Sequence, residues 1–200
     1  MMHALQQLKL LAFAAEWSAV VFSLLYVFLA AKQNRWCWVF GGISSFISIG
    51  LFIMVRLYAE SLLYLFYVLV AIYGWMVWNK NSAKQPVTEL RPSQHLIFIA
   101  SALFMAAVLY YLFANFTNAA KPLLDSLTTA FSILTTFLIV KKVLSNWIYW
   151  LLIDAFSVYL YWSRGLDVYA LLMAVYTFMA IYGFIQWRKV YKHNLLPAWF

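Results

Sequence analysis

Ala71-Ile72-Tyr73-Gly74-Trp75-Met76-Val77-Trp78 returns 109 residues later as Ala180-Ile181-Tyr182-Gly183-Phe184-Ile185-Gln186-Trp187. Weaker echoes surround this pair. Phe22-Ser23 returns as Phe131-Ser132 at the same spacing, and Asn34-x3-Trp38-x6-Ser45 returns as Asn146-x3-Trp150-x6-Ser157 at a spacing of 112. Drift from 109 to 112 and back is what a small loop insertion would produce. The doubled block covers residues 16–80 and 125–189. A block this apolar, written twice, points to a transporter built from two membrane repeats.

The chain is 66% hydrophobic and 10% charged, which a soluble protein of 200 residues could not keep wetted. The apolar runs are continuous rather than alternating, so they predict helices and not the strands of a barrel. Seven spans result, at 16–32, 37–55, 59–78, 94–116, 123–140, 147–163 and 168–187, several at the short end of what crosses a bilayer. Residues 1–14 lack a convincing signal-peptide cleavage site and read as a short interfacial helix or as part of the first span. The tail after Lys189 reads as surface-lying or disordered.

The net charge of +8 would suit a nucleic-acid partner, but its placement argues for topology instead. With seven spans, Lys32, Arg35, Lys80, Lys84, Arg91, Lys141, Lys142, Arg188, Lys189 and Lys192 fall on one side. Lys9, Arg56, Lys121 and Arg164 fall on the other. Ten against four predicts a cytoplasmic C-terminus and an outside N-terminus. It also fits attraction to anionic membrane lipid. Cys37 is the single cysteine, so no intrachain disulfide forms.

The fourth span has no match in the doubled block. Three spans are an odd number, so one extra helix lets the second repeat enter the membrane with the orientation of the first. The predicted fold class is therefore all-α integral membrane, with seven transmembrane helices in 3+1+3 parallel repeats. Its parts are a first repeat at 1–80, a linker and connecting helix at 81–120, and a second repeat with a cytoplasmic tail at 121–200. The polar stretch 79–95 is the linker. Thr88 or Ser93 is a candidate cap for the fourth span, though Pro92 suits a first helical turn better.

Asp154 is the one acid deep within a predicted span. A carboxylate there is expensive and usually faces a cavity, a partner or a substrate; the competing reading is a sealed, hydrogen-bonded Asp. Trp147, Trp150 and Asp154 are spaced i, i+3, i+7 on one helical face, which Ser157 and Tyr161 continue. Two indoles and a carboxylate on one stripe suit a flat cationic ring. Trp147 alone also reads as an interfacial anchor. In the first repeat this reading sets Trp38 opposite Trp150, Gly42 opposite Asp154 and Ser45 opposite Ser157. The scaffold is then doubled but the charge is not, which suggests one asymmetric site between the repeats. Asn34 and Asn146 read as helix caps. Tyr67 and Tyr176 match at mid-depth and are candidate pocket or helix–helix hydroxyls. There is no GxxxxGK[ST] for phosphates and no HExxH, and the three histidines lie near ends and loops. Neither catalysis nor a cofactor is expected.

The segment Asn146-Trp147-Ile148-Tyr149-Trp150-Leu151-Leu152-Ile153-Asp154 resembles the NWxxWxxxN/D signature of the PnuC family of vitamin transporters. Glu16-Trp17 through Lys32, Trp38-x2-Gly41-x2-Ser44-Ser45 and Ile72-Tyr73-Gly74-Trp75 are similar to it too. The resemblance runs from about Glu16 to Lys189. It implies a SWEET-like duplicated fold and facilitated diffusion of nicotinamide riboside across a bacterial inner membrane. Inward flow would be drawn by a cytoplasmic vitamin kinase that traps the product. It implies that Trp147, Trp150 and Asp154 line the site, and that the chain forms a homotrimer. Tyr64 stands where many members carry Gln, so thiamine, carried by the related PnuT proteins, is the alternative substrate.

Overall fold

Among the described residues, seven helices account for most of the chain. They are α1 (Met2–Ala31), α2 (Cys37–Met54), α3 (Tyr58–Asn81), α4 (Pro92–Phe116), α5 (Pro122–Val140), α6 (Asn146–Trp162) and α7 (Asp167–Leu195). The computed structural model describes residues 2–54, 58–81, 85–117, 121–163 and 167–195. Among the described residues, six helices are long and apolar enough to cross a membrane. The seventh, α6, has 17 residues, about 26 Å at 1.5 Å per residue, the shortest length that spans a hydrocarbon core. The chain is a multi-pass, all-helical membrane protein.

Prolines begin α4 and α5, where the missing N–H costs nothing. Thr88 and Ser93 do not cap α4. The Arg91 amide instead donates to Gln94 Oε1 at 2.8 Å. Residues 2–14 are continuous with the first span, and the last helix runs on to Leu195. The remaining tail, 196–200, lies outside the described residues.

The chain divides into two compact units, Met1–Lys84 and Gln85–Phe200. In the first, α2 packs against both α1 and α3. In the second, α4 packs on α5, α5 on α6 and α6 on α7. Phe98 of α4 holds the second unit together through Tyr149 (ring centroids 4.3 Å apart) and Phe131 (6.2 Å). His95 Nδ1 lies 2.7 Å from the Tyr149 hydroxyl.

The polar stretch read as a linker does lie between α3 and α4, and where it is described it is pinned to its neighbours. Thr88 pairs with the α5–α6 turn: its amide donates to the Lys142 carbonyl (3.0 Å), and its carbonyl accepts from the Leu144 amide (2.8 Å). The Glu89 carboxylate accepts from the Ser145 hydroxyl and from the Leu90 amide at 2.9 Å. Gln85 Nε2 reaches the Val140 carbonyl at 3.4 Å. Polar composition marks such a segment as a connection but does not reveal which backbone it will pair with.

The α1–α2 and α5–α6 turns have the same construction. Gln33 and Lys142 both take a left-handed conformation, at φ 55° and 52°. In one turn the amides of Gln33, Asn34, Cys37 and Phe40 donate to the carbonyls of Ala30, Leu29, Asn34 and Trp36. In the other, Lys142, Val143, Asn146 and Tyr149 donate to Ile139, Leu138, Val143 and Ser145. Every one of these positions is separated by 109. The expected drift to 112, and with it a loop insertion, is therefore corrected: the turns are equal in length. The two asparagines also part company. Asn34 Oδ1 accepts from the Trp36 amide at 3.0 Å, as a capping side chain does. Asn146 is fully buried and donates its amide to the Val143 carbonyl at 2.6 Å, so it does not cap α6.

Candidate functional site

Helix α6 begins where the tight turn ends, so its first residues are set by backbone hydrogen bonds. Trp147 is 2% exposed. Its indole lies flat over Gly183 of α7, where an added Cβ would stand 2.5 Å from Cε3. It also meets Trp187 edge to face, with centroids 5.5 Å apart. Only glycine leaves room for an indole this close to the helix backbone. In the first unit Trp38 meets Gly74 and Trp78 in the same way, again at 5.5 Å and edge to face.

These contacts set the register. Trp38 corresponds to Trp147, not to Trp150. By the same spacing Gly41 corresponds to Trp150, Ser45 to Asp154 and Ser48 to Ser157. The last pair agrees in detail: Ser48 Oγ donates to the Ser44 carbonyl (2.9 Å) and Ser157 Oγ to the Ile153 carbonyl (2.8 Å). The pairing of Gly42 with Asp154 and of Ser45 with Ser157 is thereby replaced. The slip has a physical origin: three residues are close to one helical turn, so a shift of three leaves each residue on nearly the same face.

Trp150 lies four residues inside α6, about 6 Å from its start, and Asp154 eight, about 12 Å. Asp154 is 7% exposed. Its carboxylate has no hydrogen-bond or ion-pair partner among the described residues. The Trp150 Nε1 donor is buried and likewise without one. Buried polar groups are almost always paired, and a half-satisfied charge in an apolar surround is costly. Asp154, Trp150 and Ser157 therefore form a coherent set on α6, in which a carboxylate acceptor and an indole donor remain available. A planar cation would pair with the carboxylate and stack on the indole face.

Trp38 is buried against Tyr26, Gly74 and Trp78 in the first unit, and its Nε1 too has no partner among the described residues. Tyr64 stacks on Phe52 at 5.2 Å and meets Tyr67 edge to face at 5.8 Å. Tyr176 lies half-buried on α7. The buried hydroxyls of α5, at Ser132, Thr135 and Thr136, escaped the sequence reading. Their signal was there: polar side chains spaced three and four apart in an apolar helix mark a face turned from lipid.

Comparison with known proteins agrees with this architecture. A family model described as "Nicotinamide mononucleotide transporter" matches residues 14–189. The nicotinamide riboside transporter PnuC of Escherichia coli is 26% identical over 192 residues, covering 82% of this chain and 80% of that protein. The protein of the same name from Neisseria mucosa is 25% identical over 191 residues, covering 88% and 72%. A crystal structure of the vitamin B3 transporter PnuC superposes with a TM-score of 0.74 at 23% identity, covering 90% of this chain and 82% of the other. At that identity the superposition speaks for the fold. The family match reaches into every one of the seven helices, and the chain belongs to the nicotinamide mononucleotide transporter family, whose curated relatives are PnuC proteins.

Proposed function

We propose that this chain carries nicotinamide riboside across a bacterial inner membrane by facilitated diffusion. Net uptake would be driven by phosphorylation of the vitamin in the cytoplasm. The observation that carries the reading is Asp154, a buried carboxylate without a partner among the described residues, one helical turn beyond the buried indole N–H of Trp150. A pyridinium ring supplies the missing positive charge and a flat face for the indole, and a ribose supplies hydroxyl donors for the carboxylate. Names among the relatives support the riboside.

The family's printed description names a mononucleotide, one phosphate larger. Charge argues for the smaller molecule. Helix α6 carries no Lys or Arg, and the nearest ones before it, Lys141 and Lys142, lie in the turn that precedes it. A phosphate brought to the depth of Asp154 would meet a carboxylate instead of a guanidinium. Like charges in a low-dielectric surround are strongly unfavourable.

Duplication of a three-helix unit, with α4 as the extra crossing, is part of the same reading. The common 109-residue spacing of the turn hydrogen bonds, the left-handed residues and the Trp–Gly–Trp contacts supports it. Basic helix ends at Lys32, Arg35, Lys141 and Lys142 support a cytoplasmic face for both turns.

Thermal unfolding of the detergent-purified protein with nicotinamide riboside, nicotinamide mononucleotide, thiamine and nicotinamide tests the substrate. A ligand that binds only the folded state raises its melting temperature. Stabilisation by the riboside alone is the expected result. A response to thiamine alone would replace the substrate, since thiamine also has a flat cationic ring. Exchange of labelled riboside by the protein in sealed vesicles, unaffected by ionophores, tests facilitated diffusion; dependence on an ion gradient would overturn it.

A further inference from the structure

In an apolar helix a serine or threonine hydroxyl ordinarily donates to the carbonyl one turn back. Ser126, Thr128, Thr136, Ser157 and Thr177 of the second unit all do so, at 2.5–3.0 Å. Thr135 does not. Its side chain is fully buried, and its Oγ1 has no hydrogen-bond partner among the described residues.

The first unit indicates what Thr135 faces. At the common spacing of 109, Thr135 stands where Tyr26 stands and Trp150 where Gly41 stands. Tyr26 and Gly41 touch: a Cβ on Gly41 would lie 2.8 Å from Tyr26 Cδ2. The intervening turns share one hydrogen-bond pattern and α5 packs on α6, which makes 135 and 150 the counterparts of that touching pair; the match does not extend to Phe131 and Tyr149, which each pack on Phe98 of α4 where Phe22 and Phe40 stack on each other. Depth agrees. Thr135 lies five residues inside the end of α5, about 7.5 Å, and Trp150 four residues inside α6, about 6 Å. In the first unit the ring comes from the leading helix and the gap from the following one. The second unit has the reverse, a large indole on α6 and a small hydroxyl side chain on α5.

We infer that the Thr135 hydroxyl is a specificity determinant of the Trp150–Asp154 site, held off its own helix to hydrogen-bond the carboxamide of a pyridinium ring stacked on Trp150. This rests on the proposed function. A hydroxyl both donates and accepts, which suits a carboxamide with its carbonyl and NH2. Asp154, a turn beyond, is an acceptor only while ionised. It takes the ribose hydroxyls and the charge, leaving the neutral polar edge of the ring to Thr135.

The experiment compares wild-type protein with Thr135→Val and Thr135→Ser in detergent. Affinities for nicotinamide riboside and for N-ribosylpyridinium, which lacks the carboxamide, are read by calorimetry alongside the ligand-free melting temperature. Wild-type protein is expected to prefer the riboside. Valine is expected to weaken the riboside roughly threefold to tenfold, the range for one neutral hydrogen bond. It should leave ribosylpyridinium unchanged, and serine should retain the wild-type pattern. Equal weakening of both ligands by valine would make Thr135 a packing residue and overturn the inference, as would no weakening of either. Equal wild-type affinities for the two ligands would overturn it even if the valine variant did not fold. Failure of wild-type protein to bind the riboside at all would remove the proposed function, and this inference with it.

Discussion

Gly183→Ala tests the contact on which the register rests. A methyl group there would sit 2.5–2.6 Å from three atoms of the Trp147 indole. The indole has little room to yield, because it is 2% exposed and its edge is fixed by the fully buried Trp187. Overpacking of this kind costs about 1–3 kcal/mol. Alanine recovers part of that, about 0.5–1 kcal/mol, by its better helix propensity. The net expectation is a loss of about 1–2 kcal/mol. For a chain of this size that is a fall in melting temperature of about 2–8 °C. The assay is thermal unfolding in detergent, monitored by tryptophan fluorescence and by recovery of monodisperse protein. Gly50→Ala is the matched control, since nothing lies within 4 Å of a Cβ at that position, and it should be neutral or slightly stabilising. Trp147→Leu in the Gly183→Ala background should destabilise less than the two single changes added together, because the smaller side chain makes room for the methyl group. A Gly183→Ala protein as stable as wild type, or full additivity in the double variant, would refute the packing argument. The alignment of Trp38 with Trp147 would then lose its main support.

Three further outcomes are expected at the site and the linker. Asp154→Asn keeps the shape but removes the charge, so nicotinamide riboside should bind roughly tenfold to a hundredfold more weakly, as for a hydrogen bond to a charged group. Binding of a neutral analogue should barely change, and equal loss for both would show that charge is not what Asp154 recognises. Trp150→Ala should cost about 1–3 kcal/mol of binding, as loss of a stacking ring does, and Trp150→Phe clearly less; equal losses would mean that the ring is not a platform. Glu89→Ala removes the acceptor for Ser145 and Leu90, and should speed amide hydrogen exchange at Thr88 and Leu144 several-fold through easier local opening. Unchanged exchange there would show that backbone pairing alone holds the segment.

Helix number and extent were legible because apolar length is a strong signal in a bilayer protein. The spans read from hydropathy differ from the observed helices mainly at the chain ends, where α1 starts earlier and α7 continues to Leu195. Apolarity ceases to discriminate once a helix leaves lipid on its own polar, amphipathic turns. The pinning of residues 85–91 to the α5–α6 turn was illegible for a different reason. Backbone pairing leaves no residue-type signature, and Glu89 looks the same in the sequence whether solvated or bonded to Ser145. The family signature was readable at Asn146, Trp147, Trp150 and Asp154. What it did not contain was how each is packed: Asn146 bonds within the turn and Trp147 lies against Gly183 of α7, while Asn146 Oδ1, Trp147 Nε1 and Trp150 Nε1 are all buried without a partner among the described residues.

The register error shows why that packing mattered. Matching Trp38 to Trp150 preserves the helical face and even the Ser45–Ser157 coincidence, so periodicity cannot reject it. A third helix breaks the tie, because Gly74 lies against the Trp38 indole and Gly183 against the Trp147 indole. Once the indoles at 38 and 147 are assigned to these glycines, Trp150 has no counterpart ring on α2. Tyr26 of α1 fills the equivalent space over Gly41 instead, while Ser45 stands in place of Asp154. The difference between the units is therefore wider than one added carboxylate, since positions 26, 41 and 45 all differ from 135, 150 and 154. Exchange of Tyr and Gly for Thr and Trp conserves large-with-small packing and needs no further reason. The carboxylate at 154 is different, because packing gives no reason to place an acid there and its burial is costly.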